Sequence, residues 1–475
     1  MSRPPYSHVD GAYPNLFVDT ELATGLNDGT DWENAYQSFT DLHTNNNNDW
    51  NYDVYIKAPA LPHRAEMLAY AGFAGKNFYF NATGVGTALH ENRRGIYFGS
   101  DQIDISGATL VSGTEYKIAW AGNAVFELDD AAGKFGVWLG TDPDIANEYY
   151  YATITALKGA SPYNNTNVVS GRYFYDSTAN ELYFNLGRAP VSGDYFECRK
   201  FTRVVEIYDS HSLHGGIFRF GNSGQDNGTC TDSLVRFCDF SHNALFGFDT
   251  APYPKDGTGG YLIVEGCTIN NNGVYGVNND GNGEGFIVRF STIMNNEVIG
   301  YVNKGIDSGV GTYLNNCVIT GSPKGVLIGN GSEISDTTFY NNIIWDNTTD
   351  LDIVNHANVA VTYDYNAVET FSGKAATQTN DVTIDPTIDS DGRIDSGSSA
   401  YGAGKDDVYS ESVYDPDMLS VTQSDGSPYG VMNMGAYGDS EYSSGNDFYI
   451  AITRRTASQM RPKQRMQKPK RGLFR

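Results

Sequence analysis

The chain has 475 residues, enough for several structural units, and 57 acidic residues against 32 basic ones give it a formal net charge of −25. Such acidity argues against general nucleic-acid binding by the body of the protein. No run reaches the roughly 18 apolar residues of a membrane-spanning helix, and Met1–His8 lack the apolar stretch of a secretory signal. We therefore expect neither a membrane span nor a signal peptide.

The first recognisable element follows an N-terminal arm that we assign to residues 1–15. Val18-Asp19 is followed by the run Thr24-Gly-Leu-Asn-Asp-Gly-Thr-Asp-Trp-Glu-Asn-Ala35. This opening resembles that of many pectate-lyase-like right-handed β-helix proteins, in which it forms the first strand and a short helix that caps the coils. Glu33–His43 is the best helix candidate, because Phe39 and Leu42 share one face. The resemblance implies that residues 16–111 hold the N-terminal cap and the first coils.

The next segment has longer, alternating strands. Arg172–Asp176 and Glu181–Leu186 are predicted to form a hairpin about Ser177–Asn180. This hairpin resembles the signature of a β-sandwich that is inserted in many of the same proteins. We therefore predict a β-sandwich-like insertion over residues 112–203.

Residues 233–356 repeat themselves about every 25 residues. From Cys238 the repeat advances by 29, 24, 26 and 25 residues, to Cys267, Ser291, Cys317 and Asn342. Each unit reads as three short strands rich in Val, Ile and Tyr, bounded by Asn and Gly. A unit of this size cannot bury its own apolar side, so units must stack, which predicts a parallel β-helix.

Stacking places like residues above one another. The first predicted interior column is Phe240, Ile269, Ile293, Ile319 and Ile344, and the second is Cys238, Cys267, Ser291 and Cys317. The cysteines read as small buried hydrophobes without disulfides. A turn column contains Asn243, Asn272, Asn296, Ser322 and Asn347. Two interpretations of that column stay open: side-chain hydrogen bonds from coil to coil, or ordinary turn composition.

The closing part contains Ile384–Asp389, Ser396–Ala400 and Met434–Gly438. It resembles the segment that ends the β-helix in the same group, so the resemblance covers roughly residues 16–438. We assign residues 204–440 to the main β-helix and its closing cap. The predicted fold class is all-β: a right-handed parallel β-helix with a β-sandwich-like insertion and a short N-terminal capping helix.

The last segment, residues 441–475, departs from the group and ends in a basic tail. Its predicted partner-binding residues are Arg454, Arg455, Arg461, Lys463, Arg465, Lys468, Lys470, Arg471, Phe474 and Arg475. Nine positive charges without an acid, on an acidic body, are typical of an interaction arm. Docking onto a partner protein is the favoured interpretation, with a solvated tail or nucleic-acid contact as the alternatives.

Acids in the loops after the third strands are the only catalytic candidates: Asp249, Asp280, Glu284 and Asp307. Solvated loop acids are the simpler interpretation, and no Arg or Lys recurs beside them at a fixed offset. We predict no metal or cofactor. Ca²⁺ alone stays open, although Asp280–Glu284 supplies too few oxygens for it.

Other charged groups invite structural interpretations. Arg236 and Arg289 occupy equivalent first-strand positions with Glu265 in the coil between them, which predicts an ion ladder. His211 and His214 have no carboxylate at ligand spacing, so we expect surface histidines rather than metal ligands.

The first functional hypothesis is a structural or adhesive component of a virus particle, such as a bacteriophage tail spike, fibre or head appendage. It would bind host surface glycans, dock other virion proteins through the basic tail, assemble as a homotrimer, and be found in the virion or outside the cell. The alternative is a polysaccharide-degrading lyase or glycoside hydrolase, or a bacterial surface adhesin. These assignments rest on analogy of fold.

Overall fold

The computed structural model describes residues 15–46, 52–59, 63, 77–80, 96–120, 134–138, 154–159, 172–176, 178–192, 194–199, 203–206, 212–219, 222–225, 233–236, 238–243, 246–250, 262–279, 285–304, 312–329, 335–354, 359–373, 380–390, 392–394, 397–400 and 403–404. The first elements are β1 (Asn15–Val18), α1 (Phe39–Asn46), β2 (Asp53–Ile56), β3 (Asn77–Phe80) and β4 (Ile96–Phe98). None of the helices in these ranges is long and apolar enough to cross a membrane.

Eight strands follow directly. They are β5 (Ser100–Asp104), β6 (Thr109–Ser112), β7 (Glu115–Ala119), β8 (Lys134–Trp138), β9 (Ile154–Gly159), β10 (Arg172–Asp176), β11 (Glu181–Asn185) and β12 (Tyr195–Arg199).

The remaining strands are short. They are β13 (Arg203–Glu206), β14 (Ser212–His214), β15 (Ile217–Arg219), β16 (Asn222–Gln225), β17 (Ser233–Arg236), β18 (Phe246–Thr250), β19 (Leu262–Glu265), β20 (Tyr275–Asn279), β21 (Phe286–Arg289), β22 (Thr292–Met294), β23 (Ile299–Asn303), β24 (Thr312–Asn315), β25 (Val318–Thr320), β26 (Lys324–Ile328), β27 (Ser335–Tyr340), β28 (Ile343–Trp345), β29 (Thr349–Ile353), β30 (Val359–Asp364), β31 (Ala367–Val368) and β32 (Phe371–Gly373).

Three parallel sheets form the walls of a β-helix. Sheet A has the order β1-β2-β3-β14-β17-β19-β21-β24-β27-β30, and sheet C the order β13-β16-β18-β20-β23-β26-β29-β32. Sheet B contains β4 with β15 and β22-β25-β28-β31, joined by single bridges through Asp239 and Thr268. Each coil therefore runs from A to B to C, which confirms the predicted all-β, β-helical fold class.

The strands of a separate sheet interrupt the first coils of the β-helix in the sequence. β3 of sheet A pairs in parallel with β14, although the eight strands β5–β12 lie between them in sequence. Those eight strands make one separate sheet, sheet D, in the order β5-β12-β8-β9-β10-β11-β7-β6. Ile103 of β5 shares a core with Leu182 and Phe184 of β11, although four strands lie between β5 and β11 in that order, so sheet D curls onto itself.

The predicted hairpin is part of sheet D. Arg172 pairs with Asn185 and Asp176 with Glu181 in antiparallel register, as expected from the sequence. The Asp176 carboxylate accepts the backbone N–H groups of Thr178 and Ala179, which builds the turn. The strands of sheet D span 100–199; the assigned domain boundaries, 112–203 among them, stay predictions.

The capping helix begins later than predicted, at Phe39 instead of Glu33. The preceding residues form a loop instead: Asp31 accepts the Asn34 N–H, and Asn27 accepts the Gln37 N–H. Ser38 is the N-cap residue, since its hydroxyl accepts the Asp41 N–H at 2.9 Å. Phe39 and Leu42 of this helix are buried in the main core.

Both predicted interior columns are confirmed. The column from Phe240 to Ile344 is fully buried in the main core. Cys238, Cys267 and Cys317 are buried free thiols, and burial raises the pKa of Cys317 to about 12. The outward face of sheet B is buried as well, because Val382, Ile388, Ile394 and Ala400 pack over Val318, Ile343 and Trp345.

In the described later coils, the corner between sheets A and B and the corner between sheets B and C each have a left-handed residue. At the corner between sheets A and B these are Gly266, Phe290, Asn316, Asn341 and Tyr365; between sheets B and C they are His242, Asn271, Asn295, Gly321 and Asp346. Asn adopts this conformation more readily than most side chains do. The residue after each of these is buried, and most of these residues bond to the next coil.

The second corner carries a continuous ladder, which settles the open question about the Asn column. The backbone N–H groups of Asn243, Asn272, Asn296 and Ser322 each donate to the corresponding side chain of the next coil, at 2.9–3.1 Å. The series ends within the coil of Asn347, whose N–H donates to the Asp350 carboxylate three residues later, at 3.0 Å. These side chains are buried. The column is a hydrogen-bonded ladder and not merely turn composition.

A first-corner ladder runs parallel to it. The N–H of Cys317 donates to Asn342, that of Asn342 to Asn366, and that of Asn366 to Asp381, at 2.8–3.0 Å. Both ladders therefore end, at the C-terminal end of the β-helix, on a carboxylate. A carboxylate accepts hydrogen bonds and has none to pass on when ionised.

Candidate functional site

One outward row of side chains runs along the whole of sheet A. Its members are successive register partners, one from each of ten strands: Phe17, Tyr55, Tyr79, His214, Arg236, Glu265, Arg289, Asn315, Tyr340 and Asp364. We call this set the sheet A row. Its members face away from the core because their strand neighbours, such as Val54 and Val264, point into it.

The N-terminal end of the row is an aromatic stack. Ring centroids are 5.9 Å apart for Phe17 and Tyr55, 5.0 Å for Tyr55 and Tyr79, and 4.7 Å for Tyr79 and His214. The last two pairs are nearly parallel, at 12° and 9°. The ring faces cover one another along the helix axis, so the row presents ring edges, with the Tyr79 hydroxyl and the His214 nitrogens, to a ligand. Tyr79 and His214 are both partly exposed.

The centre of the row is an ion ladder, as the sequence predicted. Arg289 contacts the Glu265 carboxylate through Nε at 2.8 Å and Nη2 at 2.7 Å, and Arg236 Nε lies 3.5 Å from the other carboxylate oxygen. Glu265 and Arg289 are fully buried, whereas 17% of the Arg236 side chain is exposed.

The electrostatics of Glu265 limit what it can do. Burial opposes its ionisation, but the guanidiniums of Arg289 and Arg236 outweigh that cost and hold the pKa of Glu265 below its ordinary value. Glu265 is therefore an anion at neutral pH that orients two arginines. It is not a proton donor.

A second outward row on sheet A is apolar. Leu234, Ile263 and Ile287 are buried there, with Tyr313 packed against them. The outer face of sheet A thus has a polar row and an apolar row side by side along the axis. Leu234, Ile263 and Ile287 are buried, so the apolar row is not open to a ligand.

Asp249, the first predicted site residue, lies within β18 on the outer side of sheet C and not in a loop. Its carboxylate accepts a hydrogen bond from Asn278 Nδ2 at 2.8 Å. On the same side Lys324 is paired with Asp352, and Phe246 stacks on Tyr275 with 5.2 Å between centroids. These acids are paired, so this face shows no free carboxylates among its described members.

The other predicted site residues cannot be placed. Asp280, Glu284, Asp307 and the tail residues from Arg454 to Arg475 lie outside the described residues, as does His211. Among the described residues, no three His, Cys, Asp or Glu side chains cluster in a way that could hold a metal ion. The catalytic assignments and the question of Ca²⁺ stay predictions.

Sequence reasoning missed the aromatic end of the sheet A row. The signal was available in the strands Asp53–Ile56, Asn77–Phe80 and Ser212–His214, whose third residues are Tyr55, Tyr79 and His214. Finding it required extending the coil alignment across the whole of sheet D. Nothing in the sequence marks β3 and β14 as neighbours.

The chain is similar to known proteins at the level of solved structures. No family model matches the chain, and no curated protein matches it. Among solved structures, a complex of XylC with xylose is similar with a TM-score of 0.45 and 11% identity, over 77% of this chain and 67% of that one. A glycoside hydrolase is similar with a TM-score of 0.34 and 9% identity, over 78% of this chain and 96% of that one. We draw no functional argument from these values.

Proposed function

We propose that this β-helix binds a polysaccharide along the sheet A row, with Tyr79, His214 and Arg236 as its main contacts. The observation that supports this proposal is the continuity of the row. These three residues occupy adjacent strands β3, β14 and β17, are partly exposed, and follow one another along the helix axis. An extended chain with repeated hydroxyl groups matches such a linear set of donors and acceptors.

The packing behind these contacts supports the proposal further. Tyr79 is held by the ring of Tyr55, and Arg236 by the buried Glu265 carboxylate. Side chains fixed in this way lose little conformational entropy when a ligand binds. Arg236 offers hydrogen-bond donors whose partner Glu265 stays ionised, so the guanidinium keeps its orientation at neutral pH.

The test is binding of the intact protein to a panel of polysaccharides. We expect Tyr79→Phe, which removes one hydroxyl, and Arg236→Ala each to weaken binding about tenfold, since a hydrogen bond to a ligand contributes roughly 1–2 kcal/mol. Tyr275→Phe is the matched control, because Tyr275 is a stacked, partly exposed tyrosine on sheet C. Equal loss in Tyr275→Phe, or no loss at Tyr79 and Arg236, would rule out the sheet A row as the site.

Cleavage of the bound polysaccharide is the second candidate function. It is favoured by His214, an acid–base group located between Tyr79 and Arg236 in the row. Wild-type protein would then release unsaturated or reducing sugar ends, and His214→Gln would bind without releasing them. Loss of activity on mutating Asp280 or Asp307 instead would move the chemistry to the loop acids.

The role in a virus particle also stays a proposal, as do membership of the pectate-lyase-like superfamily and an extracellular location. The virion proposal rests on the basic residues 454–475 as a docking arm on an acidic body. Deleting residues 454–475 should abolish incorporation into particles and leave polysaccharide binding intact. If the shortened protein were incorporated into particles as well as the full chain, residues 454–475 would not be the docking arm.

A further inference from the structure

The two edges of sheet D differ in chemistry. The edge strand β5 is Ser-Asp-Gln-Ile-Asp, with two acids in five residues. The opposite edge strand, β6, is Thr-Leu-Val-Ser, and residues 105–114 around it contain no charged side chain. Soluble proteins usually protect an exposed sheet edge with charges, prolines or a cover, because its free backbone groups template pairing with another chain. β5 carries charged residues and β6 carries none, although the pairing of β6 with β7 shifts register between Leu110 and Ser112.

The side chains of β6 are exposed to solvent. All four of its residues are exposed, with 55% of Leu110 and 42% of Val111 accessible to solvent. Thr109 and Leu110 lie in regular register with β7 and point to opposite faces, and both are exposed, so both faces of β6 are open there. β6 pairs with β7 on one side, and no described strand pairs with its other side. The flanking Gly107 and Gly113 have open space around them.

We propose that β6 is a self-association edge, at which two copies of this chain pair antiparallel, β6 against β6. Charge selects the partner. At a net charge of −25, two copies repel each other over most of their surfaces, and the uncharged run 105–114 is a place where they can approach. An antiparallel pair of identical edges is self-complementary and has two-fold symmetry.

The geometry of β6 pairing also determines the stoichiometry and the strength of self-association. Pairing of two β6 edges uses both edges, so it closes at a dimer and cannot build the trimer expected from the sequence. Four-residue strands bury little area, so the dimer is weak and concentration-dependent. Salt strengthens it, because screening reduces the repulsion between the two acidic bodies.

Sedimentation velocity of the full chain, over a wide range of protein and salt concentrations, tests this proposal. We expect a monomer–dimer equilibrium that shifts to dimer in salt, and a dimer at least about tenfold weaker in Val111→Lys or Leu110→Lys, since a lysine on an edge strand opposes pairing. Both positions are exposed, so both variants should keep the wild-type thermal midpoint. Ile384→Lys is the control, because it makes the same charge change at a side chain that is 70% exposed outside sheet D.

Four outcomes would overturn the proposal. They are a monomer under all conditions, a trimer, a dimer that survives both β6 lysines, and a dimer lost equally in Ile384→Lys. None depends on polysaccharide binding, so the proposed function and this edge can fail separately.

Discussion

The early and the late coils of the β-helix are filled by different means. In the early coils aromatic rings pack edge to face or stack. The ring centroid of Phe80 lies 5.2 Å from those of Tyr97 and Phe218, in edge-to-face geometry, and Phe218 stacks on Phe240 with 5.3 Å between centroids. In the late coils the column that continues from Phe240 is filled by Ile269, Ile293, Ile319 and Ile344, and side-chain ladders run along the A–B and B–C corners. Aromatic packing is apolar and tolerant of exchange, whereas buried amides require particular partners. The difference suggests that the late coils fix their register mainly by hydrogen bonds.

The largest loss of stability is expected from a substitution that interrupts one of the hydrogen-bonded ladders. Asn342→Leu keeps the branching and the number of side-chain heavy atoms but removes the bonds of two buried partners, the Cys317 N–H and the Leu314 carbonyl. It also removes one of the two bonds that Asn366 Oδ1 accepts from Asn342. We expect the free energy of unfolding to fall by about 3–5 kcal/mol, measured by urea denaturation. The exposed position Thr362 of sheet A provides the control Thr362→Leu, which should change it by less than about 0.5 kcal/mol. An unchanged midpoint for Asn342→Leu would show that the ladder contributes little.

A smaller effect is expected in the early coils. Phe240→Ile introduces the residue that occupies this column in the next four coils, and it removes ring contacts to Phe218 and Phe248. We expect a loss of about 1–2 kcal/mol by the same measurement. A loss as large as that of Asn342→Leu would break the contrast between the two regions.

The smallest change in stability is expected at the end of the first-corner ladder, and it is the only change that should stabilise the protein. Burial, and then the neighbouring Asp364, raise the pKa of Asp381 from its ordinary value to about 6. Asp381 Oδ1 accepts the Asn366 N–H, while Oδ2 is buried without a hydrogen-bond partner among the described residues. Asp381→Asn keeps the accepted bond and removes the charge, so we expect it to stabilise the protein at neutral pH.

The pH dependence has a defined sign. The folded state holds the Asp381 proton up to a higher pH than the unfolded chain does, so this group's contribution to stability falls as pH rises between about 4 and 6. The gain of Asp381→Asn should therefore appear above pH 6 and vanish near pH 4 in thermal unfolding. Asp350→Asn is the contrasting variant, because both Asp350 oxygens accept hydrogen bonds from Asn347 and Thr370. It should destabilise the protein at either pH. A pH-independent gain at Asp381 would contradict the assigned protonation.

Features that recur with the repeat were readable from the sequence. The Ile column, the Asn column and the Arg236–Glu265–Arg289 ladder all follow from aligning coils, because parallel stacking converts sequence spacing into contact. Features that occur once were not readable. The helix start at Phe39 depends on side chains of the preceding loop, and the cover on sheet B depends on Gly392 fitting against Met294 and Val318. The aromatic end of the sheet A row depended on a pairing across sheet D.

The direction of the two ladders has a consequence for how the chain folds during synthesis. A corner N–H in one coil is accepted by a side chain that is translated some 24–29 residues later. A nascent chain therefore always carries an unfinished corner at its newest coil, and each new coil completes the one before it. Asp350 and Asp381 close this series, because their carboxylates accept the final bonds. Until those two residues have been made, every intermediate length of the late β-helix has corner donors that only the next coil can satisfy.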